Sequence, residues 1–114
     1  MTLQEIIDRL NLTVLTQNKD FDRITATSGY ASDLLSCVMA GAQKKGVWIT
    51  LQSHSNIVAV AALLELSAVI ITEGATPDPA TITRANEEEI TLLSTPEFTY
   101  PVVGKLWEMG LKSG

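Results

Sequence analysis

At 114 residues and 46% hydrophobic content, the chain holds one domain with enough apolar material for a real core, and no room for a second domain of useful size. A net charge of -5, a pI of about 4.7 and no run of Lys or Arg longer than Lys44-Lys45 exclude nucleic acid and anionic membrane surfaces as natural partners. The longest strongly apolar stretch, Ile57 to Leu66, falls short of the roughly 20 residues that a bilayer span requires.

The first residues carry Gln4, Glu5, Asp8 and Arg9 and so lack the apolar centre of a signal peptide. Thr2-Leu3-Gln4-Glu5 reads as a capping box, and Leu3, Ile6, Ile7 and Leu10 share one helical face. That helix should end near Asn11, with Thr13-Val14-Leu15 as a brief strand. After the polar turn Gln17-Asn18-Lys19-Asp20, the segment from Ile24 to Tyr30 predicts a strand ending at Gly29. Ser32 then predicts the N-cap of a helix that buries Leu34, Leu35, Val38, Met39 and Ala42.

The middle of the chain is its most informative part. Val47 to Leu51 has strand character, Gln52-Ser53-His54-Ser55-Asn56 turns the chain, and Ile57 to Leu66 is apolar nearly all round. Such a helix asks for cover on both sides, from the sheet and from neighbouring helices or a second subunit. Ala68-Val69-Ile70-Ile71 is a further buried strand. Asp78-Pro79 opens a polar helix running to about Glu89, and Ile90 to Ser94 is the last strand. A closing helix is predicted from about Pro101 to Met109, ended by Gly110. Strands beginning at 47, 68 and 90 leave room for one crossover helix each time. The expected architecture is therefore α/β: a mostly parallel sheet of about five strands with helices on both faces.

The candidate site lies where the strand beginning at Val47 meets the following helix. Free backbone N–H groups and the positive end of a helix dipole favour an anion there. If the end of the strand holding Ser28, Gly29 and Tyr30 adjoins this bend, two helix N-termini converge. Ser28, Gly29, Tyr30, Asp33, Gln52, His54, Ser55 and Asn56 are then the candidate ligand contacts, for a small anionic or nucleotide-like molecule. The plainer reading is simple helix capping by Ser32 and Ser55. For His54 it is a loop histidine with local hydrogen bonds, since neither Ser53 nor Ser55 can orient well toward it as a nucleophile.

Cys37 reads as a half-buried structural cysteine, and one cysteine with one histidine closes no metal site in a single chain. No cofactor or metal is expected, and a reducing cytoplasm is the natural compartment. Glu87-Glu88-Glu89 reads as a solvated face, and Trp48 and Trp107 as packing residues of the core or of a dimer contact. Gly41-Ala42-Gln43-Lys44-Lys45-Gly46 begins like a phosphate loop. Val47-Trp48 stands where the loop's Lys and Ser/Thr are required, which removes a kinase site.

Asp22-Arg23, Thr27-Ser28-Gly29, the segment from Tyr30 to Ser36, Trp48-Ile49-Thr50-Leu51-Gln52 and Asn56 to Ala61 together resemble the DRTGG domain family over essentially the whole chain. The likeness is to its small stand-alone members, with Ser28 in place of the first signature glycine. The resemblance implies a fold like the N-terminal domain of HPr kinase/phosphorylase, and an accessory or dimerising role rather than catalysis. Stand-alone members are often encoded beside iron-only hydrogenases, which implies an iron–sulfur protein as a further candidate partner. The leading expectation is a non-catalytic regulatory or interaction module working as a homodimer. The alternatives are an assembly partner of an iron–sulfur enzyme, and a small enzyme acting on a phosphate-containing metabolite through His54 and Asp33.

Overall fold

The computed structural model describes residues 1–113. Alternating side chains on three buried strands, β3 (Val47–Thr50), β4 (Ala68–Ile71) and β5 (Leu92–Ser94), divide the core into two layers. Val47, Ile49, Ala68, Ile70 and Leu93 face one side, and Trp48, Val69, Ile71 and Leu92 face the other. Two short strands complete the sheet, β1 (Thr13–Val14) and β2 (Gly29–Ala31), in the order β1-β5-β4-β3-β2. All neighbours are parallel except β1, which runs antiparallel to β5. The expected α/β fold with a mostly parallel five-stranded sheet is the one observed.

From β2 to β5 each crossover steps to the next strand in the same direction. Three consecutive crossovers of one hand put their helices on one face. These are α2 (Leu35–Gly41), α3 (Asn56–Leu63) and α4 (Pro79–Glu87), whose Val38, Ile57, Val58 and Ala85 pack with Trp48. The opposite face is covered by α1 (Leu3–Leu10) and α5 (Thr99–Met109). A sheet wound in one direction has no strand pair from which helices diverge to opposite faces. It therefore lacks the crevice that such a divergence opens in doubly wound sheets.

The helix ends follow their local chemistry. The Thr2 hydroxyl accepts the Glu5 N–H at 3.2 Å, and Asn11 ends α1 in the left-handed region at φ 53°. Asp78 caps α4, accepting the Thr81 N–H at 2.8 Å, with Pro79 at the first helical position. Gly110 ends α5 at φ 102°. That helix begins two residues earlier than expected, at Thr99. Pro101 falls in its first turn, where a missing N–H breaks no intrahelical bond.

Two expectations need correction. The strand predicted from Ile24 to Tyr30 is confined to Gly29–Ala31. The backbone before it is committed elsewhere: Ile24 accepts from Leu3, Ala26 donates to Met1 and Thr27 donates to Lys45. The helix expected to start after Ser32 starts at Leu35 and fully buries only Val38, leaving Leu34, Met39 and Cys37 exposed. Ser32 instead extends the pairing with β3, its N–H donating to the Ile49 carbonyl, while its Oγ accepts the Leu34 N–H in a turn. At the sheet margin α2 has a neighbouring helix on one side only, so its second apolar face stays in solvent.

Asp78 also sets an acid response. Its carboxyl is held below the usual carboxylate range, chiefly by the Thr81 backbone N–H, then by the Thr81 side chain, with His54 adding a smaller electrostatic pull. A folded-state value below the unfolded one contributes stability that is present above the unfolded value and lost as pH falls through the folded one. Asp78→Asn keeps an acceptor oxygen without titrating. Below about pH 4 the wild-type melting temperature should therefore fall more steeply than that of Asp78→Asn; parallel slopes in thermal melts would contradict the assignment.

Candidate functional site

The carboxyl ends of β3, β4 and β5 carry a row of buried hydroxyls, Thr50, Thr72 and Thr95. Thr50 and Thr72 belong to one hydrogen-bond chain, whereas the Thr95 hydroxyl accepts the Glu97 N–H at 3.2 Å. Thr50 Oγ1 donates to Asp33 Oδ1 at 2.7 Å, and the same carboxylate oxygen accepts the Leu51 N–H at 2.9 Å. Gln52 returns to the same place, its Nε2 donating to the Asp33 carbonyl at 3.2 Å. Thr72 Oγ1 lies 3.3 Å from the Thr50 carbonyl and 2.6 Å from Thr99 Oγ1, and Thr99 donates to Glu73 Oε2 at 2.9 Å. The chain thus runs from one carboxylate to another. Among the described residues, every buried side-chain nitrogen or oxygen has a partner.

The bend itself caps α3 from within. His54 Nδ1 accepts the Asn56 N–H at 3.2 Å, the His54 carbonyl accepts the Ile57 N–H, and the Ser55 carbonyl accepts the Val58 N–H. The N–H groups expected to be unpaired are therefore satisfied locally. Ser55 lies in helical conformation and makes no side-chain cap, contrary to its expected role. Asp33, just before α2, places its own carboxylate at the carboxyl end of β3, close to where an external anion was expected. His54 Nδ1 bonds Asn56 while Asp33 Oδ1 is engaged by Thr50 and Leu51, and no ion pair between His54 and Asp33 is found among the described residues.

The eight candidate residues divide between two ends of the sheet. Asp33, Gln52, His54, Ser55 and Asn56 gather at the carboxyl ends of β2 and β3. Gly29 pairs in register with Val47, at the start of both strands, with Ser28 just before it. At about 3.3 Å per residue, Gly29 lies roughly 16 Å along the strand direction from the level of Gln52, and Ser28 further still. Tyr30 is engaged in packing: a Cβ on Gly41 would stand 2.8 Å from its hydroxyl oxygen. Thr50, which holds Asp33 at the end of β3, and Asp78, whose carboxyl feels the His54 charge from the start of α4, were not among the candidates. The Asp33–Thr50 contact spans 17 residues and leaves no signal in local sequence.

Concave surface is concentrated elsewhere. An apolar cavity of about 180 Å³ lies between the β2 edge and α5, lined by Gly29, Tyr30, Ile49, Val103, Trp107 and Leu111, among others. A shallow groove continues from it along α5 past Tyr100, Gly104 and Trp107. Tyr100 is 90% exposed, Phe98 70% and Trp107 51%, although all three are large apolar groups. Among the described residues, no helix is long and apolar enough to cross a membrane, and no group of three His, Cys, Asp or Glu is placed to hold a metal ion.

A family model of the DRTGG domain matches residues 5–109. The chain belongs to the DRTGG domain family. No curated protein matches it. Among solved structures it is similar to the regulatory region, comprising CBS and DRTGG domains, of Clostridium perfringens pyrophosphatase, complexed with its activator diadenosine tetraphosphate. The TM-score is 0.72 at 20% identity, covering 90% of this chain and 44% of that one, so the likeness is one of fold. The chain spans less than half of the pyrophosphatase region it matches. The DRTGG fold accounts for the sheet and its helices; the α5 surface and the bend are read from this chain's own residues.

The Asp33 anchor is open to test. Asp33→Ala removes the acceptor of the buried Thr50 hydroxyl and of the Leu51 N–H, so stability should drop by about 1–3 kcal/mol in denaturant unfolding. A variant as stable as wild type would show that water replaces the carboxylate without cost.

Proposed function

We propose that this DRTGG domain is a non-catalytic regulatory module, working as a homodimer paired through α5 and taking a small nucleotide-like ligand at the bend. The observation that carries the reading is a contrast between two surfaces. The polar groups at the carboxyl ends of the strands are occupied by one another, with no nucleophile held against a free base. The α5 face, in contrast, leaves Tyr100 and Trp107 exposed beside the half-buried Val103, with only the Lys112 ammonium, 4.1 Å from the Trp107 ring centre, lying over part of it. Self-complementary apolar faces of this kind are buried most simply by two-fold pairing. The regulatory role of the pyrophosphatase region that shares the fold, and its nucleotide activator, support the same direction.

At the bend, the ligand contacts are Asp33, Gln52, His54, Ser55 and Asn56. Carboxylates at Asp33 and Asp78 favour the hydroxyl and amine groups of a nucleoside over a bare anion. Light scattering at micromolar concentration tests the pairing: the mass should be twice the 12.3 kDa of one chain, and a persistent single-chain mass refutes it. A thermal-shift screen of nucleotides tests the ligand, because selective binding to the folded state raises its melting temperature. The shift should be lost in His54→Ala with Asn56→Ala; an equal shift in that variant, or none in wild type, removes the bend from the account.

A further inference from the structure

Asp22-Arg23, part of the resemblance to the family, plays no part in the bend or in α5. Arg23 ends a short 3-10 turn, Phe21–Arg23, at the amino-terminal edge of the sheet. There it lines a concavity of about 260 Å³ together with Ile24, Thr25, Lys45 and Ser67, three chain segments brought together by the fold. Two of these five residues are cations, in a chain whose net charge is -5.

The wall of this concavity is fixed by backbone bonds between neighbouring loops. The Lys45 N–H donates to the Glu65 carbonyl at 2.9 Å, and the Lys45 carbonyl accepts from Thr27 N–H at 3.0 Å and from Ser67 Oγ at 3.1 Å. Ser67 Oγ also reaches the Thr25 carbonyl at 2.6 Å. Lys45 is held at φ 62°, a conformation that costs a lysine free energy and a glycine none.

The nearby carboxylates leave cationic groups available. Asp20 pairs with Arg23 through Nε at 3.1 Å, leaving the two terminal guanidinium nitrogens, and Glu65 pairs with Lys44 rather than Lys45. Lys45 makes no ion pair among the described residues.

We propose that this concavity is a binding site for a phosphate group, with the Arg23 guanidinium and the Lys45 ammonium as its charged contacts and the Thr25 hydroxyl as a neutral one. A planar fork and a point charge on separate segments that line one concavity suit the tetrahedral oxygens of a phosphate monoester. The site is at the opposite edge of the sheet from the bend and depends on neither the pairing nor the nucleoside contacts proposed above.

The test is a titration of isotope-labelled protein followed by amide NMR, using inorganic phosphate, AMP and adenosine, each against sodium chloride at matched ionic strength. Inorganic phosphate and AMP should give saturable shifts at Arg23, Thr25, Lys45, Gly46 and Ser67, and adenosine none at these positions. Lys45→Gly, which suits the left-handed backbone, and Arg23→Gln should each weaken phosphate binding about tenfold, the effect of losing one charge-assisted hydrogen bond. His54→Ala with Asn56→Ala should leave it unchanged. Shifts matched by chloride, inorganic-phosphate shifts confined to residues 52–56, adenosine acting as strongly as AMP at Arg23, Thr25, Lys45, Gly46 and Ser67, or full phosphate binding in both charge variants would each overturn the proposal.

Discussion

A variant carrying Tyr100→Glu and Trp107→Glu is expected to be a monomer with an unchanged fold. Tyr100 is almost wholly exposed on α5 and Trp107 half exposed, so in the single subunit the substitutions cost only the contacts of Trp107 with Lys112 and with the cavity beside β2. In a pair the introduced carboxylates would be buried against their symmetry mates without partners, at a cost of several kcal/mol per charge. With four such charges in the pair, pairing should be abolished and not merely weakened. Sedimentation velocity reads the mass, and far-ultraviolet circular dichroism checks the fold. Met39→Glu with Leu63→Glu is the control. Those exposed apolar residues belong to α2 and α3, on the other face of the sheet, and their substitution should leave the pair intact. If the control dissociates the pair and the α5 variant does not, the interface lies over α2 and α3.

The second large effect is expected at Trp48. It is fully buried beneath α2 and α3, and its indole N–H donates to the Ser32 carbonyl at 2.8 Å, tying the end of β2 to the centre of the sheet. Trp48→Ala opens a cavity under two helices and orphans that carbonyl. A loss of about 3–5 kcal/mol follows from comparable truncations. Typical domain stabilities are about 5–15 kcal/mol, so the variant should be partly unfolded at room temperature or close to it. Trp48→Phe keeps most of the volume and should lose much less. Urea unfolding of the three proteins checks the ranking. Equal losses for Phe and Ala would mean that the hydrogen bond, and not the packed volume, dominates.

How far the sequence discloses this molecule depends on the range of the interactions involved. Periodicity is local, and it was sufficient for α1, for the parallel strands near 47, 68 and 90, and for the Asp78-Pro79 start of α4. The order β5-β4-β3-β2 was not legible, because the rule for right-handed crossovers fixes their hand but not which strand each one reaches. The segment from Ile24 to Ser28 has strand-like composition, yet its hydrogen bonds go to Met1, Leu3 and Lys45, contacts that no local pattern encodes. The same holds at the bend. Strand end, polar turn and helix start were legible, and so was the place where α3 begins. That His54 closes the helix start, and that Asp33 reaches across 17 residues to Thr50, depends on how side chains meet after folding. Arg23 and Lys45 face one concavity for the same reason, through two turns that composition alone keeps apart.

The two tryptophans give the most direct test of the central claim, that identical copies pair through α5. Trp48 is sealed in the core whatever the state of association, whereas Trp107 is half exposed in a single copy and covered in the proposed pair. Acrylamide quenching of intrinsic fluorescence, repeated over a dilution series from tens of micromolar to nanomolar protein, separates the two. The account predicts that both tryptophans are protected at high concentration and that one becomes quenchable on dilution. A quenchable tryptophan present to the same extent at every concentration would contradict it.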